Sequence, residues 1–288
     1  MVVGIWVGVV MVAGLSPAWA DPTPISSVPY TINQSGAYYF TRNLKMVPDQ
    51  NGITVRADDV TIDLNGFSLI GPGDGNSDGI SMKGRCNVEV RNGTIQGWGG
   101  AGVIEQTMDG TGHRMVDLRI TLNGFAGVCL IGDSHLVKDC TGFFNGYAIL
   151  VGPLCMVTGN VTSWNFFQGI DAGYGCNVMG NTCGWNGGDG INVGEGCLVQ
   201  DNMVLDNNQG IMIIGNGACV KNNTLRANDT IGILVDGTDN VIEENVITDS
   251  NVGIRFGQSG NFYANNRAAD CGTCYSGSAT DGGGNHCF

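Results

Sequence analysis

The feature that most constrains this chain is a repeat of about 21 residues. A small residue followed by an apolar one recurs at Gly127-Val128, Ala148-Ile149, Gly169-Ile170, Gly190-Ile191, Gly210-Ile211, Gly232-Ile233 and Gly253-Ile254, so the apolar members lie 21, 21, 21, 20, 22 and 21 residues apart. An asparagine series keeps the same step: Asn160, Asn181, Asn202, Asn223, Asn245 and Asn266. A second series, Asn165, Asn186, Asn207 and Asn228, follows five residues behind. Weaker anchors at Ile53, Ile80 and Val103 extend the pattern toward the N-terminus, and their longer spacings predict loops at residues 71–78 and 105–112. Repeats of this size are units that bury their apolar face only against the next copy.

A leucine-rich repeat would need an L-x-x-L-x-L frame, and none is present. Each unit holds instead short alternating runs rich in Val and Ile, such as VTIDL, INV and IMII, cut by Gly and Asn, which reads as β-structure. The strands are too short, and the turns too tight, for crossover helices. The expectation is therefore an all-β chain coiled on itself: a single right-handed parallel β-helix (solenoid) of about ten coils, each adding a strand to three parallel sheets. Ile and Val of the repeated pairs point inward. The Asn series sits at tight bends, where Asn tolerates a left-handed backbone and bonds the neighbouring coil. Cys155, Cys176 and Cys197 recur at the same step and read as small buried residues rather than redox or metal groups. His135 falls near their slot one coil earlier and reads as a buried or edge histidine.

Charge narrows the function. There are 13 basic against 26 acidic residues, a net charge of −13, which argues against a nucleic acid partner held through its phosphates and against tight binding of any polyanion without an intervening cation or a local cluster of basic residues. Residues 1–20 carry an apolar run ending in Ala18-Trp19-Ala20 before Asp21, the pattern of a cleaved secretory signal, so the mature chain is expected to be secreted or periplasmic, with no stable membrane insertion. Residues 21–45 read as an N-terminal cap, 46–267 as the coils and 268–288 as a Cys- and Gly-rich tail. In the tail Cys271, Cys274, His286 and Cys287 allow one disulfide or a zinc site; in an exported chain the disulfide is favoured.

The words PYTINQSGAYYFTRNL, NGITVRADDVTIDLNGFSLIGPG and VEVRNGTIQGWGGAGV resemble the secreted bacterial right-handed parallel β-helix repeat proteins of the pectin-lyase-like superfamily, over about residues 25–266. That resemblance implies polysaccharide lyases, hydrolases, epimerases, tailspikes and adhesins as the range of functions, with chemistry in a long groove over one sheet, where outward acidic residues act as acids and bases or bind calcium. Asn76-Ser77-Asp78-Gly79-Ile80 and Gly187-Gly188-Asp189-Gly190-Ile191 resemble the N-x-D-G-I segment of polygalacturonases, but the accompanying G-D-D and R-I-K segments are missing.

Alternation puts Asp171 and Asn192 on the outer face one coil apart, with Asp189 at the start of its strand. The candidate catalytic residues are Asp171, Asp189 and Asn192, with Gln168, Gln209 and Arg255 as substrate-binding residues along the same face. Asp171 and Asp189 are also the pair that would hold calcium. Lys138 and Tyr147 are the nearest candidates for a base, since Arg255 is too far along the stack. Phe143, Phe144, Trp164, Phe166, Phe167 and Trp185 cluster around the second Asn series, as a saccharide platform or as buried stacking. Two readings remain: an exported enzyme acting on polysaccharide (lyase, hydrolase or epimerase), or a non-catalytic carbohydrate-binding or structural β-helix module.

Overall fold

The computed structural model describes residues 21–46 and 50–288; the expected signal segment lies outside the described residues. The described chain is built of short parallel strands with no helix. One sheet stacks twelve strands, from Tyr30–Ile32 to Thr273–Ser276. The other strands form two runs joined through the long strands Val88–Gln96 and Arg114–Thr121, which pair with both. The molecule is thus a parallel β-helix of twelve coils rather than about ten. The two extra coils were hidden because their anchors are tyrosines: Tyr30 pairs with Ile53 and Tyr275 with Ile254.

The register explains the first series. Val103, Val128, Ile149, Ile170, Ile191, Ile211, Ile233 and Ile254 face each other strand to strand, and all are buried. The small residue before each is needed because the next coil lies directly over it. A methyl on Gly210 would come within 2.4 Å of the Gly232 carbonyl oxygen, and one on Gly190 within 2.4 Å of Val204.

Both Asn series are buried hydrogen-bond ladders. Asn223 is representative: its N–H and its side-chain amide both donate to Asn245 Oδ1 at 3.0 Å, and the amide also donates to the Val199 and Lys221 carbonyls at 3.0 Å. Its own Oδ1 accepts from the N–H and amide of Asn202 at 3.0 and 2.9 Å. One expectation needs correction: the ladder asparagines are not the left-handed residues. That conformation belongs to the residue before each of them, as at Asp201, Asn222, Glu244 and Asn265 in one ladder and Trp164, Trp185 and Asp206 in the other. The kink at the preceding residue turns the Asn side chain into the bend, where its amide meets three carbonyl-type oxygens. In the tail Cys274 and Cys287 are disulfide-bonded and Cys271 is free.

Candidate functional site

The outer face of the twelve-stranded sheet is read directly from its register. One outward column runs Ile104, Cys129, Leu150, Asp171, Asn192, Met212, Leu234, Arg255. Asp189, at the start of its strand, pairs with Gln209. Asp171 is half-buried, and Asp189 is only 6% exposed. Burial raises the Asp171 carboxyl to about 6, and the charge of Asp189 adds to the rise. Burial likewise raises Asp189, against a hydrogen bond from Gln168 that lowers it. Both carboxyls are thus held toward their protonated forms, Asp171 by burial first and then by the charge of Asp189. Gln209 brings a buried Oε1 with no hydrogen-bond partner to the same place.

The structure brings Asp171, Asp189, Asn192, Gln168 and Gln209 together. It leaves Arg255 apart, four strands from Asp171 in the same column, or about 19 Å at ordinary strand spacing. Lys138 is on the other sheet system, ion-paired with Asp139 at 3.4 Å, so it does not serve as a base here. Tyr147 is half-buried, with its ring 4.9 Å from that of Phe167. Asp78 is buried and accepts the Ala101 N–H at 2.9 Å, five strands from Asp189's strand.

Beside the carboxyls lies an aromatic shelf. Phe144, Trp164, Phe166, Phe167 and Trp185 are 53%, 54%, 75%, 42% and 47% exposed, so the buried-stacking reading does not apply to them. They border an open concavity of about 760 Å³ with Asn145, Asn165 and Gly187. The Trp164 and Trp185 rings stack at 5.6 Å, nearly parallel at 8°. The shelf lies next to the carboxyls along the chain: Phe167 precedes Gln168, and the N–H of Gly188, the residue before Asp189, donates to the Phe167 carbonyl at 3.1 Å. Phe144, Trp164 and Trp185 all have φ near +55°. That conformation costs a bulky residue about 1–2 kcal/mol, and elsewhere in the column the chain uses Asp206, Asp249 and Asp270. The sequence signal for this was available: each of these aromatics stands just before a ladder Asn, where most other coils place Asp, Asn or Gly.

Inside the solenoid, His113, His135, Cys155, Cys176 and Cys197 form one column that sequence reading caught only in part. The N–H of Val88 donates to His113 Nδ1 at 3.2 Å and that of His113 to His135 Nδ1 at 3.1 Å. The N–H groups of His135, Cys155 and Cys176 donate to the Sγ of Cys155, Cys176 and Cys197 at 3.4, 3.3 and 3.3 Å. Each thiol in turn donates to a carbonyl, of Pro153, Gly152 and Gly173 respectively, at 3.2, 3.2 and 3.1 Å. The imidazoles stack at 5.0 Å. Burial lowers both histidines, His135 to about 4 with the help of His113. The hydrogen bond to Cys155, with burial, pushes Cys176 up to about 12, and the bond to Cys176, with burial, pushes Cys197 up; Cys155, supported by Cys176, is drawn down. Among the described residues no three His, Cys, Asp or Glu side chains gather as a metal ion would need.

Comparison with known proteins agrees with the architecture. No curated protein matches the chain. Among solved structures it is similar to the A-module of the mannuronan C-5 epimerase AlgE6 of Azotobacter vinelandii, with a TM-score of 0.69 and 14% identity over 92% of this chain and 89% of that one. It is similar to the Dettilon tailspike protein, with a TM-score of 0.70 and 12% identity over 88% of this chain, and spans only 60% of the tailspike's length. The periplasmic alginate epimerase AlgG follows with a TM-score of 0.54 and 12% identity, over 84% of this chain and 79% of that one. At these identities the shared property is the fold. The NosD family, described as periplasmic copper-binding proteins, matches residues 132–286. The family's compartment agrees with the export expected from residues 1–20. Since the match spans more than half of the 288 residues, this parallel β-helix protein belongs to the NosD family.

Proposed function

We propose that this protein binds an extended polysaccharide on the outer face of its twelve-stranded sheet. The observation that carries the reading is the adjacency of two unlike surfaces: exposed aromatics that end at Phe167 and a desolvated carboxyl pair that begins at Asp189, linked by the Gly188 N–H to Phe167 carbonyl bond. Apolar rings beside polar groups are what a sugar needs, because a pyranose has apolar faces and a hydroxyl rim. Gln168, Asn192 and Gln209 supply amide donors and acceptors around the carboxyls. Among the described residues the outward column holds no Lys or Arg within three strands of Asp171, which together with the net charge of −13 favours neutral glycans over polyanions. Bound calcium would extend the range to uronans; two carboxylates and the Gln209 Oε1 are oxygen ligands of the kind it takes. The alginate epimerases of similar fold act on such a chain, which supports a linear polymer as the ligand class.

A second reading is catalytic, and one observation favours it: a carboxyl raised to about 6 is a suitable proton donor near neutral pH. Asp171 then donates, Asp189 stays ionised and Asn192 orients. One panel separates the readings. Neutral glucans, pectate, alginate and glycosaminoglycans are offered with and without calcium, following tryptophan fluorescence for binding and both reducing ends and unsaturated uronate for turnover. Saturable quenching without turnover supports the binding module. Turnover abolished by Asp171→Asn establishes the enzyme. No quenching by any glycan refutes both.

Copper has no place in this reading. The thiols and imidazole Nδ1 atoms of the internal column already take part in hydrogen bonds, so the donor set does not fit the ion named in the family's description.

A further inference from the structure

We infer that the His113–His135–Cys155–Cys176–Cys197 column is a hydrogen-bond spine, equivalent to an asparagine ladder, and is not a copper site. The column continues past the thiols, and its later members show its role. The Ala218 N–H donates to Asn240 Oδ1 at 2.8 Å and the Asn240 N–H to Asn261 Oδ1 at 2.9 Å. Those are the bonds that the histidines and thiols accept in earlier coils. Three chemically different side chains share one geometric requirement: an acceptor atom beneath the N–H of the preceding coil. Without it a buried N–H goes unpaired.

The same geometry excludes the metal. Copper(I) favours thiolate and imidazole ligands, but it needs lone pairs that converge on one point. Here the acceptors follow one another along the axis, each facing an N–H. A neutral imidazole that accepts at Nδ1 carries its proton on Nε2, and both Nε2 atoms are buried and unpartnered, so neither ring presents a free lone pair. Binding would require loss of thiol protons in the core, where no neighbouring group of the column is free to accept them. The column also has one defect. Ala218 offers no side-chain acceptor to the Cys197 N–H one coil before.

The test uses the whole mature chain under anaerobic conditions. Cys155→Asn, Cys176→Asn and Cys197→Asn, singly and together, are compared with wild type by competition for copper(I) against a chromophoric chelator. The expected result is less than about a twofold change in copper(I) affinity. Cys176→Asn should melt near wild type, Cys176→Ala several degrees lower, and Ala218→Asn higher than wild type. A loss of more than about tenfold in the triple variant would overturn the inference. So would equal melting of Cys176→Asn and Cys176→Ala. If the triple variant does not fold, a chain carrying Cys86→Ser, Cys219→Ser and Cys271→Ser with the column intact decides: copper(I) addition should give no thiolate-to-copper absorption, and its appearance refutes the spine.

Discussion

The substitution Asp171→Asn tests the electrostatics of the candidate site. An aspartate in the unfolded chain titrates at about 3.9, whereas burial and Asp189 raise Asp171 to about 6 in the fold. Between those values the folded chain holds a proton that the unfolded chain has released. Stability therefore falls as pH rises through that window, and the cost is complete above about 6. At pH 7 it amounts to about 3 kcal/mol for a free rise of this size. Asparagine keeps the shape and cannot ionise. The variant should therefore be more stable than wild type by roughly 2–3 kcal/mol at pH 7, and equal to it below about pH 4. Urea denaturation at a series of pH values, followed by tryptophan fluorescence, measures both curves. Asp189→Asn should recover a smaller part of that gain through Asp171, because it removes the charge that opposes Asp171 but leaves its burial, the larger cause, and the double variant should gain less than the two singles combined. Parallel wild-type and variant curves from pH 4 to 7 would refute the reasoning. Stability gained together with glycan binding lost would identify the pair as a functional strain retained by the fold.

Three further outcomes follow from the architecture. Asn223→Ala leaves the N–H and amide of Asn202 without their shared acceptor, so roughly 2–5 kcal/mol should be lost in equilibrium unfolding; Asn222→Ala, one residue away, should cost only about 1 kcal/mol of backbone strain, and equal losses would deny the ladder its role. Trp185→Asn relieves a bulky left-handed residue and should raise the melting temperature by a few degrees while weakening glycan quenching; unchanged binding would remove the shelf from the site. In the native protein a thiol reagent should modify at most Cys86, Cys219 and Cys271, and all nine free cysteines only after unfolding; rapid native labelling of Cys155, Cys176 or Cys197 would contradict their buried hydrogen bonding.

The repeat by itself determined the architecture. A 21-residue step with small-apolar pairs and asparagines in register has few other folded solutions, since each unit can bury its Ile only against the next. It also placed Asp171, Asp189, Asn192, Gln168 and Gln209 on one face, because strand alternation and register suffice to say which side chains point together. Coil number was underestimated because Tyr30 and Tyr275 break the small-apolar pattern at the ends, where the stack meets solvent on one side. The tertiary structure alone decided what depends on the third dimension. It showed that Asp171 and Asp189 are desolvated, that Lys138 faces elsewhere and that Arg255 is four strands away. It also showed that Trp164 and Trp185 stand in solvent rather than in the core. The left-handed kink before each ladder Asn moves that aromatic outward while the Asn turns in, and a one-residue offset of that kind is invisible in a list of spacings. The same holds for the thiol column: spacing marks a shared slot, but only the packed neighbour shows that the slot calls for an acceptor over an N–H.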